Sequence, residues 1–206
     1  MEFKENAEIV TAENKKVGHL ARVVLDPRTK EVSHLIVRQG FFFTEDKVVP
    51  LSLVAATTDE RVVLRQDAGD LEALPEYNEE QFVPLDEVEQ SRLNAASIYG
   101  VPLYPYMGYP IPTLQQIEVE PNIPDNTVAL AEGAKVFSAD GEHVGDVDRI
   151  LTDTETDRVT HLVISQGLIL KERKLLPIAW VSLIKPDELY LAVGTTMVES
   201  LRPYDE

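Results

Sequence analysis

Val17-Gly18-His19-Leu20-Ala21-Arg22-Val23-Val24-Leu25-Asp26, followed by Val32-Ser33-His34-Leu35-Ile36-Val37-Arg38-Gln39-Gly40, decides the fold, because the chain repeats it 127 residues later. Val17-Gly18 falls on Val144-Gly145, Arg22 on Arg149, and Asp26 on Asp153. Val32-x-His34-Leu35 falls on Val159-x-His161-Leu162, Gln39-Gly40 on Gln166-Gly167, and Pro50 on Pro177. The register holds to Leu64/Leu191, Glu72/Glu199, Leu74/Leu201 and Tyr77/Tyr204. From Ala7 to Tyr77, 20 of 71 positions are identical with no gap, and most of the remaining core pairs exchange one apolar residue for another. One ungapped register over that length marks a duplicated domain. The boundaries read as 1–77 and 134–206, with 78–133 as a linker.

Each copy reads as β structure. In the first, Ala7–Thr11, Val17–Leu25, Val32–Gln39, Lys47–Val54 and Arg61–Arg65 are rich in Val, Ile and Leu and separated by turn residues. Asp140-Gly141 is a hairpin signal, because glycine accepts positive φ. Asp26-Pro27 and Asp153-Thr154 open the next turns. Short strands without a long helical period predict a small barrel or sandwich in each copy. Gly18/Gly145 and Gly40/Gly167 are expected at a bulge, a tight bend or a positive φ. Pro50/Pro177 is expected at a sheet edge or bulge, where no amide donor is needed.

The order of these features resembles the PRC-barrel family: Val-Gly, then Asp, then Val-x-His-Leu-(Ile/Val)-(Val/Ile)-x-Gln-Gly, an apolar hairpin, and a Pro within an apolar strand. That family is named for the cytoplasmic domain of the photosynthetic reaction-centre H subunit. It also includes the C-terminal domain of a ribosome maturation factor and many short bacterial and archaeal proteins. The resemblance covers both copies and implies a mainly β chain: two tandem PRC-type barrels, a Pro/Tyr-rich linker and little helix. It is specific for fold and weak for function. The H subunit has a membrane-spanning helix, and the ribosome factor pairs one barrel with a different domain, so neither role transfers intact.

Composition bounds the rest. The chain has 206 residues, 44% of them hydrophobic and 27% charged, and no cysteine. A disulfide framework and a thiolate metal site are therefore excluded. The first six residues, Met1 to Asn6, are charged and carry no apolar core of a secretory signal. The longest apolar stretch, Leu175 to Ile184, is interrupted by Pro177 and Ser182. A bilayer span takes about 20 apolar residues, so no membrane insertion is expected. The expected location is the cytoplasm.

The formal net charge is −17. Residues 67–132 carry thirteen acidic side chains and one basic one, Arg92, whereas residues 1–66 carry ten of each. A nucleic-acid backbone needs a clustered positive field, so nucleic acid is not the expected partner. Lys15, Lys16, Arg22, Arg28, Lys30 and Arg38 are the only support for an RNA- or ribosome-associated role.

The linker holds seven of the 13 prolines and four of the seven tyrosines. A short helix is expected near Asp86–Ser97. The following run, which contains Tyr104, Tyr106 and Tyr109, favours extended or polyproline II backbone. It either packs on the barrels or offers aromatic rings to a partner.

Candidate chemistry is sparse. His34 and His161 are matched strand residues, expected to be packed and hydrogen-bonded, and a pH-sensitive contact is the alternative. His19 and His143 are not matched and read as surface residues. Asp140, Glu142, Asp146, Asp148 and Asp153 cluster in the second copy. Val147 stands where a calcium loop needs its Glu, so the cluster reads as a solvated acidic face, with weak cation binding near Asp140, Asp146 and Asp148 as the alternative. No nucleotide loop or nucleophile elbow is present, and no catalytic residue, metal ligand or cofactor is assigned.

Phe41-Phe42-Phe43 and Leu168-Ile169-Leu170 follow the matched glycines. Three consecutive apolar residues place at least one on an outer face, so the chain or a second copy must cover them. Together with the three linker tyrosines they are the expected interaction surface. The functional expectation is a non-catalytic protein-interaction or assembly module. A homodimer is one form of it, and a soluble partner of a photosynthetic or other membrane complex is another.

Overall fold

The computed structural model describes residues 1–4, 6–40, 45–58, 60–69, 71–78, 122–131, 133–167 and 172–204. Its elements run β1 (Glu2–Lys4), β2 (Glu8–Val10), β3 (Lys16–Leu25), β4 (Val32–Gln39), β5 (Glu45–Pro50), β6 (Val54–Thr57) and β7 (Arg61–Leu64) in the first part. The second part holds β8 (Val128–Ala131), β9 (Lys135–Phe137), β10 (His143–Thr152), β11 (Val159–Gln166), β12 (Glu172–Pro177), β13 (Val181–Ile184), β14 (Glu188–Leu191) and a five-residue helix, α1 (Thr195–Glu199). The strands form two seven-stranded sheets with the same topology. One has the order β5-β4-β3-β2-β7-β6 and the other β12-β11-β10-β9-β14-β13, with one further strand in each.

Local chemistry explains the matched turns. The Asp26 carboxylate accepts the amides of Arg28 at 2.6 Å and Thr29 at 3.1 Å, and Asp153 accepts those of Glu155 and Thr156, both at 2.9 Å. These amide donors hold both carboxyls below the usual aspartate range. Gly18 and Gly145 lie beside register shifts in the β2–β3 and β9–β10 ladders. A Cβ there would stand 2.5 Å from the Arg38 carbonyl oxygen or 2.7 Å from that of Ser165. Only glycine lets the crossing strand come so close. Gly40 and Gly167 take positive φ, 85° and 91°. Pro50 and Pro177 close strands at the ends of the two sheet orders.

Two expectations need correction. Lys47–Val54 is not one strand: Leu51–Leu53 form a 3-10 turn that begins at Pro50, whose φ of −58° suits a helical turn. Residues 128–131 do not belong to the linker. They form β8, and by the 127-residue shift they match Met1–Lys4 around β1.

These two matched strands are exchanged. β1 leaves the first copy and pairs antiparallel with β10 of the second, Glu2 opposite Leu151, Phe3 opposite Ile150 and Lys4 opposite Arg149. β8 pairs with β3 of the first copy, Arg22 opposite Ala131, Val23 opposite Leu130 and Leu25 opposite Val128. The β3–β4 and β10–β11 turns also meet. The Val32 amide donates to the Asp157 carbonyl at 3.0 Å, and the Val159 amide to the Lys30 carbonyl at 2.8 Å. Residues 1–77 and 122–206 form one compact unit. Its apolar core is continuous: Ile9, Val23 and Val62 of the first barrel belong to the same cluster as Val136, Ile150 and Leu189 of the second.

The helix predicted near Asp86–Ser97 lies outside the described residues. Among the described residues, no helix is long and apolar enough to cross a membrane.

Candidate interaction surface

On the outer face of the second barrel, one side chain from each of four neighbouring strands falls in a single row. Leu183 of β13 stands opposite Tyr190 of β14, Tyr190 beside Phe137 of β9, and Phe137 opposite His143 of β10. Alternation along the strands sends Val136, Ile184, Leu189 and Leu191 inward and leaves the row outside. Three interstrand steps of about 4.8 Å make it roughly 14 Å long. The Phe137 and Tyr190 rings stack with centroids 5.4 Å apart and planes 23° apart. The His143 ring lies 5.7 Å from Phe137. Leu183 is 48% exposed, one of two large apolar side chains so exposed among the described residues.

Charged groups fix the row from its rim. Lys185 Nζ lies 4.9 Å from the Tyr190 ring centre, and the Tyr190 hydroxyl donates to Glu188 at 2.7 Å. Lys185 reaches the same carboxylate at 3.3 Å. The Tyr190 hydroxyl and Lys185 hold Glu188 below its usual pKa, while the bond to Glu188 holds Lys185 above its own. His143 Nε2 is 2.9 Å from Asp146 Oδ1. The rings are thus pre-oriented, and an amphipathic aromatic held this way loses little entropy when a partner covers it.

Sequence reasoning missed this row. Its signal lies in the differences between the copies: Leu183, Tyr190, Phe137 and His143 match Ala56, Val63, Val10 and Lys16. The first barrel therefore has no aromatic row, and its Val10 is buried. The surface expected from sequence (Phe41, Phe42, Phe43, Leu168, Ile169, Leu170, Tyr104, Tyr106 and Tyr109) lies outside the described residues.

His34 and His161 sit at matched places, opposite Pro50 and Pro177. Both are half-buried. His34 departs from expectation in one respect: its Nδ1 is buried with no hydrogen-bond partner. Burial pushes its pKa below the ordinary 6.5.

The acidic cluster of the second copy is a solvated face only in part: Asp140, Glu142 and Asp153 are exposed, whereas Asp148 is not. Asp148 is buried, 3.0 Å from Arg173 Nε and 3.4 Å from Arg149 Nε. Asp153 shapes its turn, Asp146 pairs with His143, and the Asp140 carboxylate accepts the Thr195 amide of α1 at 2.7 Å. Among the described residues, no three His, Asp or Glu side chains gather to hold a metal ion.

The basic residues of the first copy are largely engaged. Lys16 pairs with Glu8 at 2.9 Å, Arg22 with Asp187 at 3.0 Å and Arg38 with Asp46 at 2.8 Å, and Lys30 donates to the Pro27 carbonyl at 2.6 Å. Lys15 and Lys16 border an open cleft of about 620 Å³ at the first barrel's end, with Arg65, Glu13 and Glu72 also on its wall. By the 127-residue shift α1 of the second barrel matches residues 68–72 on that wall, and its Val198, like Leu71, is buried.

The family model of the PRC-barrel domain matches residues 5–74 and 130–192, well over half of the chain. The chain belongs to that family. No curated protein matches it.

Proposed function

We propose that this PRC-barrel chain is a non-catalytic protein-interaction module, and that the aromatic row of the second barrel grips a protein partner. The observation that carries the reading is the asymmetry of the copies. The same sheet position holds Leu183, Tyr190, Phe137 and His143 in one barrel and Ala56, Val63, Val10 and Lys16 in the other. A fold constraint would act alike on both. Protein interfaces concentrate their binding energy in Tyr, Trp and Arg anchors framed by polar groups, and Tyr190 framed by Lys185 and Glu188 fits that description. The row ends at β13, the last strand of its sheet order, so a partner can reach it from the side.

The test is quantitative cross-linking in the source cells, with the wild type and a Leu183→Glu/Tyr190→Ala variant that keeps its circular dichroism spectrum and melting temperature. A defined protein recovered by the wild type should fall at least about tenfold with the variant, since one hot-spot side chain is worth 2 kcal/mol or more. Equal recovery of every cross-linked protein would remove the row from the function.

A further inference from the structure

The residues that carry β1 and β8 across are themselves a matched pair. Asn6 and Gly133 occupy the same repeat position and both take left-handed backbone, with φ of 56° and 72°. On either side the same turn forms: the Ala7 amide donates to the Lys4 carbonyl at 3.1 Å, and the Ala134 amide to the Ala131 carbonyl at 3.4 Å. After the turn the Ala7 carbonyl accepts the Leu20 amide, and the Ala134 carbonyl the Val147 amide, both at 2.9 Å. The exchange is therefore written into each copy's local backbone.

The seat is also the same on both sides. Each barrel is completed by a strand that the other supplies, and the paired turns place Glu31 opposite Arg158, positions that are themselves matched. Such an interface is isologous, one patch meeting its own counterpart. Only the connection between Asn78 and Asn122 specifies that donor and acceptor belong to one chain.

We infer that a second copy of this chain can take the place of the sister barrel. The first barrel of each chain seats on the second barrel of the other, with β1 and β8 exchanged between chains, to give a closed dimer. Every contact made across the two chains replaces an identical contact within one, so the balance is left to chain connectivity. Intramolecular pairing acts like a local concentration in the millimolar range for a flexible connection. The dimer forms when the chain folds at comparable concentration. It then persists on dilution, because separation requires both strands to leave their sheets.

The test uses the full chain with Glu31→Cys and Arg158→Cys. The protein has no cysteine of its own, and opposed residues in an antiparallel bridge lie about 4.5–5.5 Å apart at Cα, within disulfide reach. The variant is refolded from denaturant at micromolar and at near-millimolar concentration, oxidised, and read by non-reducing denaturing electrophoresis and light scattering. Dilute refolding should give an intrachain disulfide in a monomer. Concentrated refolding should give a disulfide-linked dimer, with the dimer-to-monomer ratio rising in proportion to concentration. Intrachain disulfide at every concentration would overturn exchange between chains. Dimers formed as readily by Glu31→Cys alone would do the same, since they would be adventitious. Absence of any disulfide would overturn the paired turns on which the inference rests.

Discussion

A methyl group on Gly145 would meet the Ser165 carbonyl oxygen at 2.7 Å, and Gly145 also holds a φ of 142°. Gly145→Ala should therefore cost about 2–3 kcal/mol, combining a steric shift with strained backbone, as read from urea unfolding. Gly18→Ala meets the same kind of wall without the positive φ and should cost less. His34 sets a pH dependence. Its folded pKa lies below 6.5 because burial disfavours the imidazolium. Between those two values the unfolded chain binds more protons than the folded one, so stability rises with pH across the window and is lost as pH falls through it. The melting temperature of the wild type should fall more between about pH 7.5 and pH 5 than that of His34→Gln. Asp26 and Asp153 act in a lower window: their contribution is present above the ordinary 3.8 and lost as pH falls below it. Identical residues in the repeat disclose shared backbone roles, as at Gly18/Gly145 and Asp26/Asp153. They do not disclose partners. Arg22 reaches Asp187 and Arg149 reaches Glu2. Lys47 pairs with Glu45 and Glu76, whereas Lys174 donates to the carbonyls of Val198 and Glu199. Asp187, Glu2 and Glu76 lie at positions where the copies differ, and Lys174 meets α1 instead.

At the scale of elements, the strands that carry long Val/Ile/Leu runs were legible, because their period and turns are local properties of the chain. β1 and β8 were not. Each is only three or four residues long, and each is held by a partner that lies in the other copy. β1 is anchored by Phe3 in the core, by Glu2 at 2.6 Å from the buried Arg149, and by the Met1 ammonium donating to the Thr152 carbonyl at 2.8 Å. Phe3→Ala should cost about 3–4 kcal/mol, as loss of a large buried ring does. Hydrogen exchange then localises the damage: protection should fall at Arg149–Leu151 in the second barrel before it falls in β3. If β1 served the first barrel instead, the order would reverse. Arg149→Ala should cost about 3 kcal/mol, at the lower end for breaking a buried pair, because Glu2 keeps part of its side chain in solvent.

For the whole molecule, the repeat discloses two barrels of one family but not their reciprocal completion, since pattern matching aligns the copies and says nothing of which strand crosses. The aromatic row was hidden for the opposite reason: it exists where the copies disagree, and attention to identity passes over it. The exchange makes the two barrels one folding unit, with a shared core and no barrel complete alone. Unfolding of the described body should accordingly be a single transition by fluorescence and circular dichroism. The most direct test is to place a protease site after Gly108, cleave the folded protein, and measure the mass of the product in solution without denaturant. The two fragments should stay together at the mass of the intact chain and separate only on unfolding. Elution as two folded, independent barrels would contradict the exchange of β1 and β8.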